Sequence, residues 1–199
     1  MKSFKQHIFE KLKVSARTAT EHALFPKTKD ELKQMIEDEI SINGNECSLN
    51  HIDVSKITDM SNLFSYSEFN GDISEWNVSN VTNMGFMFYG SKFNGDISDW
   101  NVSNVENMEG MFYNSKFNGD ISDWNVSNVK NMKDMFYGAK FNGDISGWDV
   151  SNVENMYAMF LSAKFSGDIS NWDVSHVRNM SYIFALSPLE KNPPKWYKK

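Results

Sequence analysis

The chain of 199 residues contains one cysteine, Cys47, so no internal disulfide is possible and the fold must rest on packing. Proline is nearly as scarce, and three of the four (Pro188, Pro193, Pro194) stand near the C-terminus. No apolar run approaches the ~18–20 residues that a membrane-crossing helix needs. The opening MKSFKQHIFEKLKV has neither the continuous apolar core nor the small-residue cleavage site of a secretory leader, which by itself points to the cytoplasm. The four histidines (His7, His22, His51, His176) are scattered. There is no Ser-His-Asp order, H-E-x-x-H, phosphate loop, paired-cysteine metal motif or calcium loop. A catalytic site, a cofactor and a metal are therefore all read as none.

Charge is limited in a different way. Residues 45–186 carry 8 basic and 18 acidic groups, whereas residues 187–199 carry 4 basic and 1 acidic. An acidic body repels a phosphate backbone, so nucleic acid is excluded as a partner of that region.

What the sequence has in abundance is periodicity. Phe69, Phe93, Phe117, Phe141 and Phe165 stand 24 residues apart, as do Trp76, Trp100, Trp124, Trp148 and Trp172. A representative unit is FNGDISDWNVSNVENMEGMFYNSK, beginning at Phe93, and five units fill 69–188. Residues 49–68 form a degenerate first repeat, with Val54, Met60 and Phe64 in register with Val78, Met84 and Phe88. A unit of this length cannot bury its apolar face alone. Stacking on neighbours buries it, so stability belongs to the array.

Each unit carries two patterns. In Phe93–Ser98 apolar or small residues alternate with polar ones, which predicts a short strand with Phe93, Gly95 and Ile97 inward. Val105, Met108, Met111 and Phe112 then fall on one helical face, with Ser103 and Glu106 spaced as a capping box. One short parallel strand and one helix per unit is an α/β plan, a leucine-rich-repeat-like right-handed solenoid. Residues 26–48 read as a helical N-terminal cap, with Thr28 and Glu31 as capping box and Leu32, Met35, Ile36 and Glu39 on one side. Residues 189–199 read as a C-terminal cap and basic tail, and 1–25 as an appendage with an amphipathic helix.

The strings FNGDISDWNVSNVENM, GDISNWDVSHVRNM and LNHIDVSKITDMSNLF resemble the BspA-type leucine-rich-repeat surface proteins of bacteria, including the repeats of unknown function in mycoplasma lipoproteins. The resemblance spans about residues 26–199 and implies a non-catalytic binding or adhesion module at the cell surface, with a protein or glycan ligand. The alternative is a structural or scaffold component of a larger assembly, tethered through residues 1–25. The oligomeric state is left open between a monomer and a larger form.

One candidate ligand face follows from the strand pattern: Asn94, Asp96, Ser98, Asn118, Asp120, Ser122, Asn142, Asp144 and Ser146, pointing outward on a concave side. These residues either bind a ligand or hydrogen-bond to one another and organise each turn. They scarcely change between units. The positions expected on the helical, convex side do change: Gly85-Phe86, Glu109-Gly110, Lys133-Asp134, Tyr157-Ala158, Ser181-Tyr182.

Overall fold

A computed structural model describes residues 24–198. The helix expected over 1–25 lies outside them, apart from Leu24 and Phe25. One α-helix is present among the described residues, α1 (Lys29–Asn43). Thr28 Oγ1 accepts the Glu31 N–H at 3.2 Å, and the Glu31 carboxylate accepts the Lys27 N–H at 2.6 Å. Two of the free amides at this terminus are thereby satisfied. Leu32 and Ile36 pack against the first coil, and Glu39 is buried beside them. His51 Nε2 lies 3.4 Å from the Glu39 carboxylate, and Asn43 donates to it at 2.8 Å. The His51 contact, more than burial opposes it, holds the Glu39 pKa below its usual value.

Beyond α1 every 24-residue unit makes one coil, and successive coils pair in parallel through an unbroken column of bridges: Asp59–Asn83, Asn83–Asn107, Asn107–Asn131, Asn131–Asn155 and Asn155–Asn179. The helix expected after each Trp does not form. Amides alternate instead between two partners. Met108, Gly110, Phe112 and Asn114 donate to Asn131, Lys133, Met135 and Tyr137 of the next coil, while Met111, Tyr113 and Ser115 donate three residues back within their own coil. The segment is thus a chain of tight turns stitched into a ladder. Two residues per coil have positive φ, for example Gly110 at 57° and Asn114 at 51°, and each interrupts any helix. The apolar spacing misleads because successive turns bury residues three and four apart, as a helix does. Met108, Met111 and Phe112 are all fully buried. Ser103 caps nothing; its amide donates to the side chain of Asn101 at 3.1 Å.

The strand expected at Phe93–Ser98 is also absent as a ladder. Phe93 and Ile97 do point inward, but the Asn94 amide donates to the Asn70 side chain rather than to a backbone carbonyl. The reason lies in the spacing of the coils. Equivalent rings in successive coils report the local step. It is 4.4 Å for Tyr113–Tyr137, 5.7 Å for Phe112–Phe136, 6.3 Å for Phe117–Phe141 and 6.4 Å for Trp76–Trp100. Paired strands stand ~4.8 Å apart, so the backbone ladder runs along the narrow side, and wide-side pairing is confined to the Ser48–Asp72 bridge of the first coils. Beyond it, at the Asn column, a side-chain oxygen bridges the gap. The stack therefore curves, with the Asn–Met–Phe–Tyr ladder on its concave side and the Phe–Trp columns towards its convex side. This reverses the expected assignment of faces.

Trp fixes the wide side. Each indole is at most 4% exposed, and Trp124 donates its Nε1–H to the Ile97 carbonyl at 3.0 Å, as Trp76, Trp100, Trp148 and Trp172 do to Leu49, Ile73, Ile121 and Ile145. Trp196 continues the column, donating to Ile169 at 2.8 Å, so the C-terminal segment supplies the Trp half of one more coil.

Candidate functional site

The outward columns at the wide side are engaged within the protein. Asp96, Asp120 and Asp144 each accept, through Oδ1, the amide of the serine two residues on (Ser98, Ser122, Ser146) at 2.9–3.0 Å. These bonds lower the carboxyl pKa values below the ordinary aspartate range. Asn94, Asn118 and Asn142 accept through Oδ1 the amides of Asn118, Asn142 and Ser166 in the following coil at 2.7 Å. All nine residues named as a ligand face thus lie on one surface. Their documented bonds shape the bends and span the wide step. No three His, Cys, Asp or Glu side chains converge on a common point among the described residues. A cleft of about 310 Å³ lies where Asp168 and Ser170 meet the cap at Leu189 and Pro193.

His176 and the second Asn column are accounted for in the same way. Asn83 Oδ1 accepts the Gly85 amide while its Nδ2 donates to Asp59, so it shapes a bend and ties two coils together, as Asn107 and Asn131 also do. Asn80, Asn104, Asn128 and Asn152 donate to serine carbonyls one coil back, and His176 Nδ1 sits in the same role 2.8 Å from Ser151 O.

The concave face has a different character. Tyr66, Tyr89, Tyr113 and Tyr137 form a column with ring centroids 4.4–4.8 Å apart. Burial, then the neighbouring Tyr137, pushes the Tyr113 hydroxyl up to about 12. Beside the tyrosines, Lys133 pairs with Glu109 at 2.8 Å, and burial raises the Asp134 carboxyl despite Lys133 alongside. Tyr89, Tyr113 and Tyr137 recur at 24-residue spacing in the sequence, and Tyr66 stands one residue out of that register.

The two positive-φ positions of each coil lie on this face. The first column is Asn62, Phe86, Gly110, Asp134, Ala158, Tyr182 and the second is Tyr66, Gly90, Asn114, Gly138, Ser162, Leu186. Such positions favour Gly and Asn; a bulky L-residue there costs on the order of 1–2 kcal/mol. Phe86, Tyr66, Tyr182 and Leu186 are nevertheless present, and the last three are 61–76% exposed. Burial offsets little of that strain; Tyr66 and Tyr182 each make one edge contact, with Tyr89 and Tyr157.

A family model matches residues 30–140 and again 113–196, which together span most of the chain. The chain belongs to the family described as Mycoplasma protein of unknown function, DUF285. No curated protein and no solved structure matches it.

Proposed function

We propose that this DUF285 chain is a non-catalytic binding module, a solenoid of leucine-rich-repeat type whose ligand is a protein seated on the concave ladder face. The supporting observation is the pair of strained columns. Large exposed side chains at Tyr66, Tyr182 and Leu186 occupy backbone positions where the inner coils, Phe86 apart, place smaller residues: Gly90, Gly110, Asn114, Asp134, Gly138, Ala158 and Ser162. Residues that cost stability and remain in water are explained by a partner that covers them. Variation agrees with this reading. The ladder face changes from coil to coil, as an irregular protein surface requires, while the Asp face repeats as a lattice of bends does. Cell-surface adhesion is the setting this proposal favours, through the resemblance of the repeats to bacterial surface proteins.

The test compares three forms of the chain in quantitative affinity capture from membrane and soluble fractions of the native source: wild type, a variant with Tyr66→Gly and Phe86→Gly, and one with Asp96→Asn, Asp120→Asn and Asp144→Asn. The expected result is a protein set lost with the glycine variant and kept with the asparagine variant. Loss with the asparagine variant alone would return the site to the convex face.

A further inference from the structure

The two ends of the ladder are finished differently. At the N-terminal end α1 lies over the first coil, and Lys29 Nζ reaches Asp59 Oδ2 at 2.9 Å and Ser61 Oγ at 2.7 Å. Leu24 adds a parallel bridge to Ile52. At the C-terminal end the inner coils set the standard: Met156, Ala158, Phe160 and Ser162 donate to Asn179, Ser181, Ile183 and Ala185. In the last coil the Leu186 amide is taken by the Glu190 carboxylate at 3.0 Å. The amides of Met180, Tyr182 and Phe184 have no acceptor among the described residues. They stand at alternate positions along one edge, as the donors of a parallel strand do.

The side chains at this edge carry a second, independent signal. At the strained positions a large residue leans over the next coil. A Cβ added to Gly110 would stand 2.4 Å from the Phe86 ring, one on Gly90 2.9 Å from the Tyr66 ring, and one on Gly138 would collide with Asn114. A large residue in one coil thus requires a small one in the next. Tyr182 and Leu186 hold these two positions in the last coil and are 61% and 76% exposed.

From this we infer that the C-terminal edge, residues 180–186, is a strand-addition site. Its occupant is an extended segment of another protein, running parallel to the edge, with carbonyls facing the three amides and glycine at two positions four apart beneath Tyr182 and Leu186. Main-chain bonds hold such a segment and the two overhanging side chains select it. The site shares Tyr182 and Leu186 with the last coil of the concave face and extends from it onto the open edge. A second copy of this chain fits poorly. Its exposed ladder carbonyls flank Asp59 and Ser61, where Lys29 already sits, and it offers bulky Tyr66 at the position where Leu186 requires glycine.

The test uses amide hydrogen exchange on the full chain. The probe is a synthetic peptide of residues 107–118 carrying Asn114→Gly, which places two glycines four apart. In the free chain the Met180, Tyr182 and Phe184 amides should exchange much faster than their counterparts Met156, Ala158 and Phe160. Saturating peptide should slow the three by about tenfold or more. Removing the overhang with Tyr182→Gly and Leu186→Gly should weaken the peptide about tenfold or more, because two apolar contacts worth well over 1.4 kcal/mol together are lost. A peptide with Gly110→Val should fail to protect. Three outcomes overturn the inference: the amides already protected in the free monomer, protection only on concentration-dependent self-association in the ultracentrifuge, or no protection by saturating peptide. The concave-face proposal survives each of these, since its variants read capture at other coils.

Discussion

The wide and narrow sides of each coil solve one problem by different means. On the narrow side the step matches a strand ladder, and backbone amides reach the next coil directly, as Met108 does to Asn131 at 2.9 Å. Side chains there are free to differ, so Glu109, Lys133, Tyr157 and Ser181 share one column. On the wide side the backbone ladder stops after the Ser48–Asp72 bridge of the first coils. Each link depends on a particular side chain: Trp124 to Ile97 O, Asn118 to the Asn142 amide, Asn128 to Ser103 O. Sequence uniformity marks where side chains do structural work, and variability marks where the backbone does it. That inversion argues against reading the uniform face as the binding face.

The largest expected effect attacks both sides at once. Deleting residues 93–116 removes one whole coil and preserves register, so a shorter stack should fold with a lower melting temperature. Deleting only 93–104 places ladder residues against Trp residues and should abolish cooperative melting. Equal melts from the two deletions, followed by circular dichroism, would break the model of stacked equivalent coils.

Trp124→Ala probes the wide side alone. It empties a large buried volume between the Trp100 and Trp148 indoles and removes one of the two donors to the Ile97 carbonyl, leaving the Trp100 amide, so a cost of about 3–5 kcal/mol is expected in urea unfolding. Trp196→Ala should cost less, because the terminal indole is only half-buried. The reverse order would mean that the cap, not the central coil, limits unfolding.

A smaller effect of opposite sign belongs to the narrow side. Tyr182→Gly relieves a φ of 61° on an exposed aromatic and should raise stability by up to about 1 kcal/mol. Destabilisation instead would show that the side chain supports the last coil, and would remove the strain argument for a partner.

These contrasts show how far the sequence could be read. Period, register, inward residues and the helical cap followed from spacing, because burial at Phe93, Ile97, Met108 and Phe112 is a matter of which side chains are apolar. Secondary structure did not follow. A helix and a string of turns share the same three-and-four spacing. What separates them is φ at Phe86, Ala158 and Tyr182, residue types that announce no left-handed turn. Curvature was hidden for a related reason, since the step between coils is set by backbone reach on one side and ring thickness on the other.

The smallest expected effect tests whether the Asp column is architecture or charge. At the bend after each Trp, Asn77, Asn101 and Asn125 accept the Ser79, Ser103 and Ser127 amides, and Asp149 and Asp173 do the same for Ser151 and Ser175. An amide oxygen therefore serves such a bend as well as a carboxylate. The triple change Asp96→Asn, Asp120→Asn, Asp144→Asn should leave the melting temperature at pH 7 within a degree or two. Acid separates the two proteins. The three carboxyls are depressed in the folded chain by the Ser98, Ser122 and Ser146 amides. Their contribution is complete above the unfolded aspartate value of about 3.9 and is lost as pH falls through the lower folded values. Wild type should therefore lose stability relative to the triple variant between about pH 5 and pH 2, read as diverging melting temperatures. A large loss in the variant at pH 7 would mean that the negative charge itself holds the coil, and a pH-independent difference would mean that the serine amides do not favour the ionised form.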